Sequence, residues 1–322
     1  MEDIKPGIFI GSSTPGLPTA ERIAKELADV AECELWTHAF ELGIATYEQL
    51  TKITAVFDYG ILLATADDPM ISKNAYFESP RDNVLLEFGL FAGALGRGRA
   101  IFVREEEAKE PADLFGITMP RIKKPDHPEY ETSIKNCCDS IKKHIAAREK
   151  VFDLGMIPST VLAYGYFKNF IERCIARLFE DRKSGKQFTL PDGRPFNIGE
   201  IKMTIFIPDD LTEDMFDKVK AKRLMLGWEK LKVDPKETRD YDFHINIDKG
   251  KDGLLHVVDI PLTLNALHES INTFSQKGHI GYTAREKFLE RKELRNFRNT
   301  IVHLINHHAI TKGVVVTEII DI

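Results

Sequence analysis

The chain has 322 residues, of which 43% are hydrophobic and 29% charged, and a formal net charge of −6. Such a length accommodates two domains of ordinary globular composition. No run of about 18 apolar residues occurs, so no membrane-spanning helix is expected, and the acidic balance argues against a duplex nucleic-acid partner.

The opening Met1-Glu2-Asp3-Ile4-Lys5-Pro6 lacks a basic region followed by an apolar one, so no signal peptide is expected. Cys33, Cys137, Cys138 and Cys174 show no CxxC spacing and read as reduced thiols in a cytoplasmic protein. Gly7 to Ile10 is a short apolar strand. It is followed by Gly11-Ser12-Ser13-Thr14-Pro15-Gly16 and then by Ala20, Ile23, Ala24, Leu27 and Val30 at helical spacing. A loop at a strand's end that opens a helix offers backbone N–H groups to an anion. Its glycine spacing fits neither the Walker loop nor GxGxxG, and a simple connector is the commoner role for such a loop. Glu34-Leu35-Trp36 reads as a second strand; either its neighbours Thr37, His38 and Phe40 line a cleft, or Trp36 is simply core. Tyr47 to Ile53 reads as a helix, and Phe57 to Thr65 as a central strand, apolar along nearly its whole length. After Asp67-Asp68-Pro69, residues Ile71 to Ser79 are polar and predict an irregular, mobile loop over the cleft.

Pro80 and the capping residues Asp82 and Asn83 start a helix near Asn83. Val84, Leu85, Leu86, Phe88, Leu90 and Phe91 make it apolar on nearly every face, so it should be buried. Glu87 lies in its midst. It either pairs with Arg81 or another nearby cation, or stands as a catalytic carboxylate at the mouth of a cleft. Gly89 and Gly93 cost about 1 kcal/mol each in a helix and imply close packing there. A strand over Ala100 to Val103 and a helix over Glu131 to Lys150 complete a strand–helix alternation. That alternation predicts a parallel sheet with helices on both faces and a ligand crevice at the carboxyl ends of its strands. Gly11, Ser12, Ser13, Trp36, Phe40, Asp67 and the Glu87 helix would surround that crevice.

PRDNVLLEFGLFAGALGRGRA, together with IFIGSS, LWTHAF, VFDYGILLATADD and PADLFGI, resembles the TIR-like nucleotide-binding domain of bacterial defence proteins. The likeness covers roughly residues 5 to 150. It implies a flavodoxin-like TIR fold over residues 1–152 and an NAD+ glycohydrolase whose catalytic acid is Glu87. It places NAD+, as substrate, near Gly11, Ser12, Ser13, Trp36, Phe40, Asp67, Arg81 and Asn83.

The second half, residues 153–322, starts with a linker. Ser159 caps a helix running to about Asp181, striped by Ala163, Phe167, Phe170, Cys174, Ile175 and Leu178 and widened by Leu162, Tyr166 and Ile171. So broad an apolar surface suits either a central core helix or one that also packs on a partner subunit. Strands over Ile201 to Ile207 and Met225 to Val233, with a helix over Glu213 to Arg223 between them, lead to a β-hairpin spanning Arg239 to Asp259. Pro261-Leu262-Thr263-Leu264 opens a helix. The last helix, Thr283 to His308, carries a basic outer run of Arg285, Lys287, Arg291, Lys292, Arg295 and Arg298. That run is read as a solvated face, with a docking surface as the alternative. His303 and His307 lie one turn apart but lack a third ligand, so no metal is expected.

VLAYGYFKNFIERCI, TRDYDFHINID and HVVDIPLTL resemble STING, the cyclic-dinucleotide receptor, in its bacterial form. The likeness implies an α+β domain with a β-hairpin lid, a homodimer formed through the first helix, and one cyclic dinucleotide held on the two-fold axis. Arg239 on the lid, Asp259, Thr263 and a stacking Tyr166 or Phe167 would hold that ligand. Arginine bridges the N7 and O6 acceptors of guanine, and a carboxylate accepts from its N1 and N2 donors, which favours cyclic di-GMP. Taken together, the two likenesses imply an effector of bacterial antiphage defence (CBASS). The ligand-bound dimers would stack into higher oligomers or filaments and switch on NAD+ cleavage. No resident cofactor is expected. The alternatives are a non-catalytic scaffold that recruits a partner, or hydrolysis of another nucleotide in the same cleft.

Overall fold

The computed structural model describes residues 4–39, 46–72, 75–110, 119–149, 158–189, 193–225, 227–232, 242–246, 253–275 and 284–322. It divides into two compact units, one formed by residues 5–151 with 281–292, the other chiefly by 152–280 with 293–322. Among the described residues no helix is long and apolar enough to cross a membrane.

In the N-terminal unit, strands β1 (Gly7–Ser12), β3 (Tyr59–Ala64) and β6 (Ala100–Glu105) are buried at every position. With β2 (Glu32–Leu35) and β7 (Arg121–Ile122) they form a parallel sheet ordered β2-β1-β3-β6-β7. The alternation of side chains along a strand assigns the two faces. Ile8, Ile10, Ile61 and Leu63 meet Ile23 and Leu27 of α1 (Leu17–Leu27) and Ile134 and Ile141 of α5 (Tyr130–Glu149). Phe9, Leu62 and Phe102 meet Ile53 of α3 (Thr46–Val56) and Val84, Phe88 and Phe91 of α4 (Asp82–Leu95). A short helix, α2 (Trp36–Ala39), follows β2, so Trp36 starts a helix and does not end a strand.

Two expectations for this unit are corrected. The described part of Ile71 to Ser79 is not irregular: β4 (Asp68–Ser72) and β5 (Ala75–Ser79) pair antiparallel. Ile71 and Tyr76 are paired across it and both exposed, a β-former pair that outweighs the polar residues around it. Helix α4 is not buried all round, because Leu86 is 54% exposed. A Cβ added at Gly89 or Gly93 would meet nothing within 4 Å, so neither glycine serves close packing.

In the C-terminal unit one long helix comprises α6 (Pro158–Tyr166), a π-turn (Phe167–Ile171) and α7 (Glu172–Lys183). The N–H of Ser159, in the first turn, donates to Glu293 Oε2 at 3.2 Å, which satisfies a donor that the helix itself cannot. The small hairpin β8 (Gln187–Thr189) and β9 (Pro195–Asn197) precedes β10 (Glu200–Pro208) and α8 (Met215–Arg223). Strands β11 (Trp228–Lys232), β12 (Asp242–Asn246) and β13 (Leu254–Asp259), helices α9 (Thr263–Ser275) and α10 (Ala284–His307), and strand β14 (Val315–Ile320) complete the chain. The sheet order is β11-β12-β13-β10-β14. Parallel pairs flank β10, while β11–β12 and β12–β13 are antiparallel. The sequence analysis passed over β14, whose pairing with β10 is supplied from far along the chain.

The basic run of α10 is only partly a solvated face: Lys287 is exposed, but Arg291, Lys292, Arg295 and Arg298 are half-buried or buried. Arg295 is 3% exposed. Within the N-terminal unit, Lys292 donates to the carbonyls of Ala55 and Phe57, Arg291 pairs with Glu32, and Phe288 packs on Phe57 at 4.7 Å.

The tightest packing in the N-terminal core is at Gly60. A Cβ there would lie 2.3 Å from Phe91 Cδ1, and Phe91 is itself stacked on Phe9 at 5.0 Å. The ring atom is close to its own backbone and cannot swing aside. Gly60→Ala is expected to destabilise this unit by about 1–3 kcal/mol, read as a lower urea midpoint.

Candidate functional site

The carboxyl ends of β1 and β3 meet the inner face of α4. Glu87 is 7% exposed, and a Cβ built on Gly11 would fall 2.9 Å from its Oε2 and 2.6 Å from Leu62 Cδ1. Only a residue without a side chain lets the carboxylate lie against the backbone at the end of β1. No cation pairs with Glu87 among the described residues, so the ion-pair alternative for this residue is set aside; Arg81, at the N-terminus of α4, is exposed. Burial alone pushes the Glu87 carboxyl up from an ordinary 4.5 to about 7.

A hydroxyl network lines the neighbouring loop. Trp36 Nε1 donates to Ser12 Oγ at 3.0 Å, and Ser12 Oγ donates to the Ser13 carbonyl at 3.0 Å. Thr65 Oγ1 donates to Asp67 Oδ2 at 2.8 Å. A hydroxyl has one proton. The 2.9 Å contact between Ser13 Oγ and Thr65 Oγ1 is therefore donated by Ser13, which in turn accepts the Gly16 N–H at 3.1 Å. Gly11, Ser12, Ser13, Trp36 and Asp67 thus gather on one rim beside Glu87. Arg81 and Asn83 are exposed at the start of α4, and Phe40 lies outside the described residues.

Two residues of this rim were missed by sequence reasoning. Thr65 carries the bridge between Ser13 and Asp67. Glu105, 4% exposed, accepts the Ala66 N–H at 2.9 Å and fixes the loop after β3; burial, the largest influence on it, raises its carboxyl. The signal for Glu105 was an acid closing a strand that opens on four apolar residues, Ala100 to Val103.

The second candidate site lies at the end of β13. Asp259 is 7% exposed, and Tyr166 Oη donates to its Oδ2 at 2.5 Å. Both aromatic candidates are enclosed: Tyr166 is 3% exposed and Phe167 1%, the latter edge-on to His308 at 5.6 Å. Thr263 begins α9, with its Oγ1 buried and lacking a hydrogen-bond partner among the described residues. Arg239 lies outside the described residues. His303 and His307 stack ring on ring at 4.1 Å, and no group of three or more His, Cys, Asp or Glu residues is arranged for a metal among the described residues.

Comparison with known proteins finds matches for both halves of the chain. Residues 7–124 match the family model "CAP12/Pycsar effector protein, TIR domain", and residues 158–302 match "Prokaryotic STING domain". A CD-NTase-associated protein 12 from Flavobacterium daejeonense is 38% identical over 315 residues, which cover 97% of this chain and 98% of the relative. The chain belongs to the CD-NTase-associated protein 12 family. A second member, from Lachnospiraceae bacterium (strain RUG226), is 34% identical over 331 residues, covering 99% of both chains. A solved structure titled "Bacterial STING in complex with c-di-GMP" is 30% identical, spans 53% of this chain and 100% of its own, and has a TM-score of 0.43. In the CD-NTase-associated protein 12 arrangement of this chain, Glu87 belongs to the TIR domain, and Tyr166, Asp259 and Thr263 to the STING domain.

The raised Glu87 carboxyl has a pH signature. The folded chain keeps this proton to about pH 7, whereas an ordinary carboxyl gives it up near 4.5. The native state therefore binds more protons between those values, and stability is lost as pH rises through that window. Glu87→Gln removes the loss. The variant is expected to match the native protein near pH 4 and to exceed its stability at pH 8 by on the order of 2–3 kcal/mol, as read by urea unfolding across pH.

Proposed function

We propose that this chain is a ligand-activated NAD+ glycohydrolase of antiphage defence, with cyclic di-GMP as the activating ligand and Glu87 as the catalytic acid. The observation that carries this reading is the Glu87 carboxylate: it is buried against Gly11, unpaired with any described cation, and held near neutrality. A carboxylate kept without a cation is suited to stabilise one that forms transiently.

In the proposed step the bond between ribose C1′ and the nicotinamide nitrogen breaks. The nitrogen keeps the electron pair and leaves as neutral nicotinamide. Positive charge develops on C1′ and the ring oxygen of the ribose, beside Glu87. Water then adds to C1′ and releases a proton, giving ADP-ribose. The Ser12–Ser13 loop, at the end of β1 and the start of α1, would receive the phosphates through its backbone N–H groups. The Trp36 ring, hydrogen-bonded to that loop, would border the substrate.

In the second unit Asp259 would accept from the donor edge of guanine, with Thr263 nearby. Homodimers would form through the long helix, where Val161 and Tyr164 are 56% and 52% exposed. Ligand-bound dimers would assemble into higher oligomers and so complete the NAD+ site, in the cytoplasm. Support for this reading comes from membership of a family in which TIR and STING domains occur in one chain, together with the chemistry of Glu87 and Asp259.

The full chain mixed with NAD+ and cyclic di-GMP is expected to release nicotinamide, followed by chromatography. Glu87→Gln is expected to lower that rate by about a hundredfold or more while cyclic di-GMP binding, read by calorimetry, is unchanged. Native-rate turnover by the variant would sink the catalytic assignment. Ligand binding without any nicotinamide release by the native chain would instead favour the scaffold reading.

A further inference from the structure

We propose that Tyr166 is a positioning residue: its hydroxyl fixes the plane of the Asp259 carboxylate and thereby sets the preference for guanine over adenine in the bound cyclic dinucleotide. This rests on the reading of Asp259 given above and adds to it the residue that makes Asp259 selective.

The ring of Tyr166 is wedged. Phe170 packs against it at 5.3 Å and Phe297 of α10 lies at 6.3 Å, leaving the side chain 3% exposed. So placed, it contributes as a donor and not as a stacking platform, and its hydroxyl is directed at Asp259 Oδ2 at 2.5 Å. A hydroxyl donating to a carboxylate makes a charge-assisted hydrogen bond.

The backbone explains the aim. Immediately after Tyr166 the helix widens into the π-turn Phe167–Ile171, closed by the Glu172 N–H donating to the Phe167 carbonyl. A π-turn admits one extra residue, and each residue of an α-helix turns the face by about 100°. Without the extra residue, α7 and Tyr166 could not both keep their present faces. Cys174 of α7 reports the same carboxylate: burial first, and then the negative charge of Asp259, raise its thiol.

Selectivity follows from the shape of the ligand edges. The N1–H and N2–H groups of guanine meet a carboxylate through both oxygens, and only when the carboxylate plane is aligned with the base. Adenine presents an acceptor at N1 and gains nothing from that alignment. Loosening the hold on the carboxylate plane therefore weakens the guanine ligand and spares the adenine one.

The test is the affinity of the full chain for cyclic di-GMP and for cyclic di-AMP, measured for native protein, Tyr166→Phe, Asp259→Asn and Phe170→Leu. Tyr166→Phe keeps the ring and is expected to lower the preference for cyclic di-GMP about tenfold, through its cyclic di-GMP affinity alone. Phe170→Leu removes one wall of the wedge but keeps the hydroxyl, and is expected to lower the preference less than Tyr166→Phe does; an equal loss in both would assign the effect to ring packing and overturn the role of the hydroxyl. A native preference in Tyr166→Phe, with a lowered one in Asp259→Asn, would overturn the positioning role and leave the reading of Asp259 standing. A native preference in Asp259→Asn would overturn both. If Tyr166→Phe does not fold, 3-fluorotyrosine at 166 replaces it. That residue keeps the ring and is a stronger donor, so a changed preference supports the proposal and an unchanged one overturns it.

Discussion

The approach of Glu87 to the bare backbone of Gly11 is the constraint on which the N-terminal unit turns. It joins the first strand to the fourth helix at the one edge of the sheet where loops gather. The acid sits in that edge for want of any neighbour's side chain, and no described counter-ion offsets its burial. The energetic cost of holding a charge there keeps the carboxyl protonated well above its ordinary range. The hydroxyl chain from Trp36 through Ser12, and from Ser13 through Thr65 to Asp67, then stiffens the loops on either side.

Much of this was legible in the sequence because the central strands carry a strong signal. IFIG and YGILLA are apolar on both faces, as a covered parallel strand must be, and the first runs into a helix of clear apolar period. The position of Glu87 within an apolar helix was legible for the same reason. What escaped was decided by distant partners. Strand β14 exists because β10 offers it an edge, and the pair β4–β5 because Ile71 and Tyr76 face one another across two strands. The basic run on α10 was misread as solvated throughout because a one-dimensional pattern does not reveal the carbonyls of Ala55 and Phe57 that Lys292 reaches.

The C-terminal unit teaches a related lesson about aromatic residues. GYFKNF announces a broad apolar stripe, and the stripe is there, but its period is interrupted by the π-turn. That interruption cannot be read from hydrophobic spacing, because three neighbouring aromatic residues satisfy several registers equally well. The pairing of Tyr166 with Asp259 is therefore visible only in the fold, although Asp259 itself was marked in advance by the likeness to STING.

The open surroundings of Gly89 and Gly93 have a mechanical consequence for α4. Alanine would fit at both places and would raise helical propensity by about 1 kcal/mol each, so the chain forgoes rigidity that sterics would have allowed. These compliant links lie on the outer side of the element that holds the acid on its inner side. The acid is thus carried by a helix that gives up propensity on its outer face while its inner face is fixed against fully buried strands.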